Sequence, residues 1–220
     1  MRNIFLGVIF CGFILFSCES KPGRIDVPSG FDGKRLVEMM KNPEAFPKQE
    51  IAGIAGTETD KIKIYNENFS PGISKRTVLF SWPDGEMKTI KTMDGKELKV
   101  ENHRSLGIGF VRKISKDDFL KQFESKEFIQ NQINSIAENE EIPADIAIAE
   151  AINLAENAKI QKFEKLENIG ETAYWESPVN ALHVFANGIA FTVSTNLETE
   201  QESREKAVRL VKLIFNNASN

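Results

Sequence analysis

At 220 residues, with 28 basic against 32 acidic side chains, the chain is mildly acidic with both signs interspersed. That balance excludes the basic stripe by which proteins hold nucleic acid, and leaves no polybasic patch for anionic lipid. The cysteines, Cys11 and Cys18, and the histidines, His103 and His183, are too few and too scattered for a disulfide framework or a zinc site.

Met1-Arg2-Asn3 is short and basic, Ile4 to Phe16 is apolar throughout, and Ser17-Cys18 follows. A positive start, an apolar run and a small residue before a cut make up a secretory leader, expected over residues 1–17. Thirteen apolar residues span about 20 Å as a helix against a hydrocarbon core of about 30 Å, which argues against a permanent transmembrane helix. Cys11 follows Phe10 in mid-run and lacks the small neighbour a leader peptidase needs.

Leu15-Phe16-Ser17-Cys18 resembles the lipobox of bacterial lipoproteins, with bulky Phe16 where a small or branched residue is commoner. The resemblance implies cleavage before Cys18, a diacylglyceryl thioether on its sulfur and often an acyl group on its new amine. Two or three acyl chains make a stable anchor where one holds only reversibly. The expected partner is therefore a membrane, through lipid on Cys18. Glu19 stands where the inner-membrane retention signal of enteric bacteria has aspartate, so the expected location is the outer membrane of a Gram-negative envelope. Cleavage and lipidation would leave the mature chain without a free thiol.

Residues 18–33 hold Pro22, Gly23, Pro28, Gly30 and Gly33 and read as the lipidated cysteine with a flexible tether; residues 34–220 read as one domain. Leu36 to Met40 predicts a short helix ending before Pro43. A second, from Pro47, stops at Gly56. Lys61–Tyr65 and Thr77–Trp82 predict strands, the latter ending at Pro83-Asp84-Gly85. Met87–Met93 and Glu97–Val100 flank Asp94-Gly95 as a hairpin, His103 reads as loop surface, and Leu106–Val111 as a further strand. Ser115 caps a helical region in which Phe119, Phe123, Ile129, Ile133 and Ile136 share a face. After Pro143 a second helix carries Ile146, Ala149, Ile152 and Leu154. Strands return at Phe163–Leu166, Thr172–Trp175, and around the Asn187-Gly188 hairpin. Thr199-Glu200-Gln201-Glu202 has capping-box form and opens a closing helix with Ala207, Leu210, Val211 and Ile214 in one stripe.

This order does not alternate as parallel βαβ units would. It predicts an α+β fold, an antiparallel sheet covered by helices on one face. Phe80-Ser81-Trp82-Pro83 and Tyr174-Trp175-Glu176-Ser177-Pro178, each before a hairpin, leave open a duplicated α/β sandwich. The run Gly170-Glu171-Thr172-Ala173-Tyr174-Trp175 with Leu182-His183-Val184 and Asn187-Gly188 resembles a pattern of small bacterial envelope lipoproteins. Some of these relate to the α/β sandwiches of the PsbP and Mog1 proteins. That resemblance implies structural roles and supplies no active site.

No serine sits in a Gly-x-Ser-x-Gly elbow, and Gly107-Ile108-Gly109 lacks the further glycine and lysine of a phosphate loop. Asp117 with Asp118, and Glu138 with Glu140 and Glu141, are acidic clusters that read as solvated surface and only distantly as hydrolase carboxylates. His183, alternating within a strand, reads as a packed or surface residue. No catalytic, cofactor or metal residue is expected. Trp82, Tyr174 and Trp175 are core aromatics or, alternatively, the lining of a ligand groove. The leading expectation is a non-enzymatic binding or assembly module working with an envelope protein. The alternative is a carrier of a small ligand or lipid.

Overall fold

Two antiparallel meanders meet edge to edge by their last strands. The computed structural model describes residues 24–68, 76–124, 133–136, 143–160 and 162–219. Strands β1 (Lys63–Asn68), β2 (Arg76–Lys91) and β3 (Glu97–Lys113) form the first meander. Strands β4 (Phe163–Leu166), β5 (Thr172–Glu176), β6 (Ala181–Ala186) and β7 (Ile189–Asn196) form the second. The sheet order is β1-β2-β3-β7-β6-β5-β4, every neighbour antiparallel. With its helices this is an α+β fold.

Helices α1 (Gly33–Lys41), α2 (Lys48–Ala55) and α5 (Glu200–Asn217) lie on one face. Each has a local reason to start or stop where it does. The Asp32 carboxylate accepts the Lys34 amide, 2.9 Å away, at the head of α1. Gly56 takes φ +75° at the end of α2 and returns its amide to Ala52. Thr199 accepts the Glu202 amide at 3.2 Å, as its capping-box pattern predicts. Ala207, Leu210, Val211 and Ile214 of α5 are fully buried among Phe80, Leu106, Ile108, Trp175, Leu182, Val184, Phe191 and Val193 of the sheet. Burying one such aliphatic side chain contributes about 1.5–3 kcal/mol, so this layer carries most of the stability.

Helix α3 (Lys116–Glu124) adds a smaller contact on the opposite face. Ser115 caps it through the Asp118 amide at 3.1 Å, and Phe119 packs with Tyr174, Phe185 and Ala190. Alternation explains the split: along β5, Ala173 and Trp175 enter the main core and Tyr174 the second cluster. Both faces of β5 are therefore buried.

Several expectations are corrected. The segment read as free tether docks from Ile25 onward: its amide donates to the Asn168 carbonyl at 2.7 Å, and Phe31 lies in the main core. Ile25, Val27 and Phe31 are apolar, and their burial outweighs the glycines and prolines between them. Pro83-Asp84-Gly85 does not end β2; it is a bulge within a 16-residue strand. His103 lies inside β3 opposite Pro83, so it is strand and not loop. In α4 (Ala144–Ile160), Ala147 is buried while Ile146 and Ile152 are about half exposed, against the predicted stripe. Ile129, Glu138, Glu140, Glu141 and the whole leader with Cys18 lie outside the described residues.

The Phe80-Trp82 and Tyr174-Trp175 motifs occupy different places in the two meanders. Trp82 stands on β2, next to the central β3–β7 pair, whereas Trp175 stands on β5, two strands from it. Pro83 falls in a bulge, but Pro178 falls in the short 3-10 turn Ser177–Val179 that ends a strand.

Candidate functional site

Trp82, Tyr174 and Trp175 do not line one groove. All three are buried, with Trp82 and Trp175 facing the main core and Tyr174 facing α3. The polar first half of α5 accounts for both indoles. The Trp175 Nε1–H donates to Glu200 at 2.9 Å, which also accepts from the Ser177 hydroxyl at 2.9 Å. Those hydrogen bonds from Ser177 and Trp175, with Arg204 behind them, hold the Glu200 carboxyl below its ordinary pKa. The Arg204 guanidinium lies 5.5 Å from the Trp175 ring centre and grips Glu164 with two hydrogen bonds of 2.8 and 2.6 Å. Lys206 lies 5.9 Å from the Trp82 ring centre, donating to the Ala55 carbonyl at 2.6 Å. These aromatics are clamped by α5, and the groove expectation fails on them.

The second face gathers the most chemistry-bearing groups. His183, directly opposite Tyr174 across the β5–β6 pair, bonds Glu176 through Nε2 at 2.9 Å and Thr192 through Nδ1 at 3.0 Å. Phe123 covers this group, its ring stacked on Tyr174 at 4.8 Å and tilted over His183 at 4.9 Å. Burial and a hydrogen bond to Glu124 push the Tyr174 phenol up to about 12. Hydroxyl, imidazole and carboxylate stand in line here, but in mid-strand beneath a phenylalanine. Thr192 is nine-tenths covered, and the strands spend their amides on the ladder rather than on an oxyanion hole. Each polar group is satisfied by another, which fits a packed polar cluster.

Asp118 is occupied by Ser115 and Lys121, and the Ser115 hydroxyl first, then Lys121, lower its pKa. No group of three or more metal-ligating side chains occurs among the described residues.

The Asp94-Gly95 hairpin expected from the sequence is present, and what sequence reasoning missed is that it stands clear of the sheet as a two-stranded ribbon. β1 pairs with β2 only over Arg76–Ser81, and β7 pairs with β3 only from Ser105 onward. Beyond Trp82 and Arg104, β2 and β3 pair only with each other among the described residues, through Met87↔Glu101 to Lys91↔Glu97. From Pro83 to Met93 this stands about 30 Å off the sheet. Asp84, Gly85 and Glu86 face Asn102 alone at its root, Gly85 taking φ +86°. Asp84 locks that bulge: it accepts the Glu86 amide at 2.9 Å, the Asn102 side chain and Arg104 at 3.5 Å. The Glu86 amide foremost, then Asn102 and Arg104, holds its carboxyl below the ordinary value. Arg104 also reaches Glu198 at 3.0 Å and Glu202 at 3.5 Å, tying the root to the start of α5. Partial burial opposes the charge on Arg104, yet Glu198, Glu202 and Asp84 outweigh it and raise its pKa.

Compared with known proteins, the chain matches no family model, no curated protein and no solved structure. No helix among the described residues is long and apolar enough to cross a membrane.

Proposed function

We propose that this chain is a lipid-anchored lipoprotein of the bacterial envelope, held by Cys18, that acts as a non-enzymatic binding or assembly module. The observation that carries the reading is the polarity of the domain. The N-terminal segment enters beside the β6–β7 turn, where Asp32 donates to the Ala218 carbonyl at 3.2 Å and Asn187 to the Phe31 carbonyl at 3.3 Å. The ribbon leaves from the other end of β3, beside the start of α5. Anchor side and ribbon thus lie a strand length apart, about 27 Å between Lys113 and Ser105. A domain held at one end and extended at the other is built to present the ribbon away from its membrane. An outer-membrane location in a Gram-negative cell, from Glu19 beside Cys18, belongs to the same proposal.

Intact mass of membrane-extracted chain, wild type beside Cys18→Ala, tests the anchor. A mature N-terminus at Cys18 with acyl mass, lost in the variant, supports the reading. An unmodified chain, or one cut elsewhere, overturns it.

A further inference from the structure

We infer that the outer edge of β2 between Met87 and Lys91 is a docking strand for an acidic, partly apolar extended segment of another protein. The occupant adds antiparallel or parallel in the line of β1. This deepens the binding-module reading and rests on it.

The backbone supplies the first argument. β1 stops opposite Ser81, and Pro83 and the bulge follow it at once. Past the bulge β2 resumes regular pairing with β3 on one side only, so its other edge offers amides and carbonyls with no strand partner among the described residues. A two-stranded ribbon is marginal in water by itself, whereas a third strand supplies the missing partner. The side chains supply the second. Met87 is 62 % exposed, Ile90 40 % and Leu98 49 %, and Met93 at the tip is fully exposed. Ile90 lies across from Leu98, and Lys88 across from Val100, so these share the face that continues the helix-covered side of the sheet.

Charge selects the occupant. Lys88 and Lys91 of the β2 edge make no ion pair among the described residues, and Lys63 begins β1 beside the same edge. The β3 edge differs, with Lys99 flanked by Glu97 and Glu101 and with Glu198 and Glu202 at its root. An incoming strand on β2 meets Lys88 and Ile90 on one face and Met87, Thr89 and Lys91 on the other. Acidic and apolar side chains on each face satisfy both. A second copy of Met87–Lys91, edge to edge, brings two further lysines to the seam and no carboxylate. The membrane of the anchor lies at the far end of the domain.

The test uses the full chain reconstituted in neutral phosphatidylcholine nanodiscs. The probe is a synthetic peptide of alternating Glu and Val, with a Lys–Val peptide as control. The acidic peptide is expected to bind and to slow amide exchange over Met87–Lys91. Reversing two exposed charges, Lys88→Glu with Lys91→Glu, is expected to weaken binding by roughly tenfold or more, as is high salt. Both side chains are exposed, so unchanged circular dichroism separates lost binding from lost fold. The inference is overturned by equal binding of the Lys–Val peptide, by no binding of the acidic one, or by protection elsewhere. It is also overturned by peptide-free protection of Met87–Lys91 in anionic nanodiscs or on concentrating the protein, which assigns the edge to lipid or to a second copy. Failure of lipidation at Cys18 shows in mass alone, so the two readings fail separately.

Discussion

Phe119→Ala removes the one fully buried side chain of α3 and tests whether that helix is held on the second face of the sheet. The ring sits 5.5 Å from Phe185, 6.2 Å from Tyr174 and 4.9 Å from Phe123. Truncating a buried phenylalanine costs about 3–5 kcal/mol when the cavity stays open. Here the cost has a ceiling. A nine-residue helix is marginal in isolation, and the apolar contacts left to hold it are those of Leu120 and Phe123. Once the loss exceeds what they supply, α3 detaches and the remaining sheet pays no more, so a global loss of about 3 kcal/mol is expected. Denaturant unfolding followed by the fluorescence of Trp82 and Trp175, both in the main core, measures it. Exchange of the α3 amides should rise further than that of β5–β7. Uncovering Tyr174 should also bring its phenol from about 12 down toward the ordinary value near 10. A loss under about 1 kcal/mol with α3 amides still protected would refute the packing assigned to this face.

In a Tyr65→Phe background, phenolate absorbance should show Tyr174 ionising only near pH 12. The folded phenol keeps its proton to higher pH than the unfolded one, so its contribution is whole below about pH 10 and disappears as pH rises through about 12. Ionisation near pH 10 in the native protein would contradict the burial and the Glu124 contact. Ser203 is fully buried with its hydroxyl unpartnered among the described residues, so Ser203→Ala should be neutral or stabilising by up to about 1 kcal/mol in urea unfolding; a clear loss would point to a hidden partner. Gly170 holds φ +60°, and an added Cβ would lie 2.9 Å from the Phe185 carbonyl oxygen. Gly170→Ala should therefore cost about 1–3 kcal/mol by the same assay, and a neutral result would mean that the turn relaxes freely.

Features written in local chemistry were legible in the sequence. Asn187-Gly188 turns with φ +48° and +73°, Gly56 stops α2 at +75°, and Thr199 caps α5. Each is decided by a few neighbouring atoms. The misreadings share another cause. Pro83-Asp84-Gly85 carries every turn signal, yet the strand survives because Asn102 and Arg104, distant in sequence, fasten Asp84. Ile25 and Phe31 looked like tether until Asn168, Phe191 and Phe215 received them. Core packing was legible for Tyr174 and Trp175, but not that strand alternation sends these chain neighbours to opposite faces. The edge at Met87–Lys91 was least legible, because whether a strand has a neighbour is a property of the whole sheet.

The seam between the two meanders also sets an order of events. β3 ends at Lys113 and its central partner β7 begins only at Ile189, so a chain made from its N-terminus completes one half-sheet long before the other exists. During that interval the inner edge of β3, with Leu106 and Ile108 beside it, has no neighbour and is a template for pairing with a foreign strand. Closing the seam across so long a stretch is slow compared with either local meander, and it places the folding bottleneck at this pair. The chain's greatest exposure to aggregation therefore falls in its youth, at a strand that becomes the middle of the finished sheet.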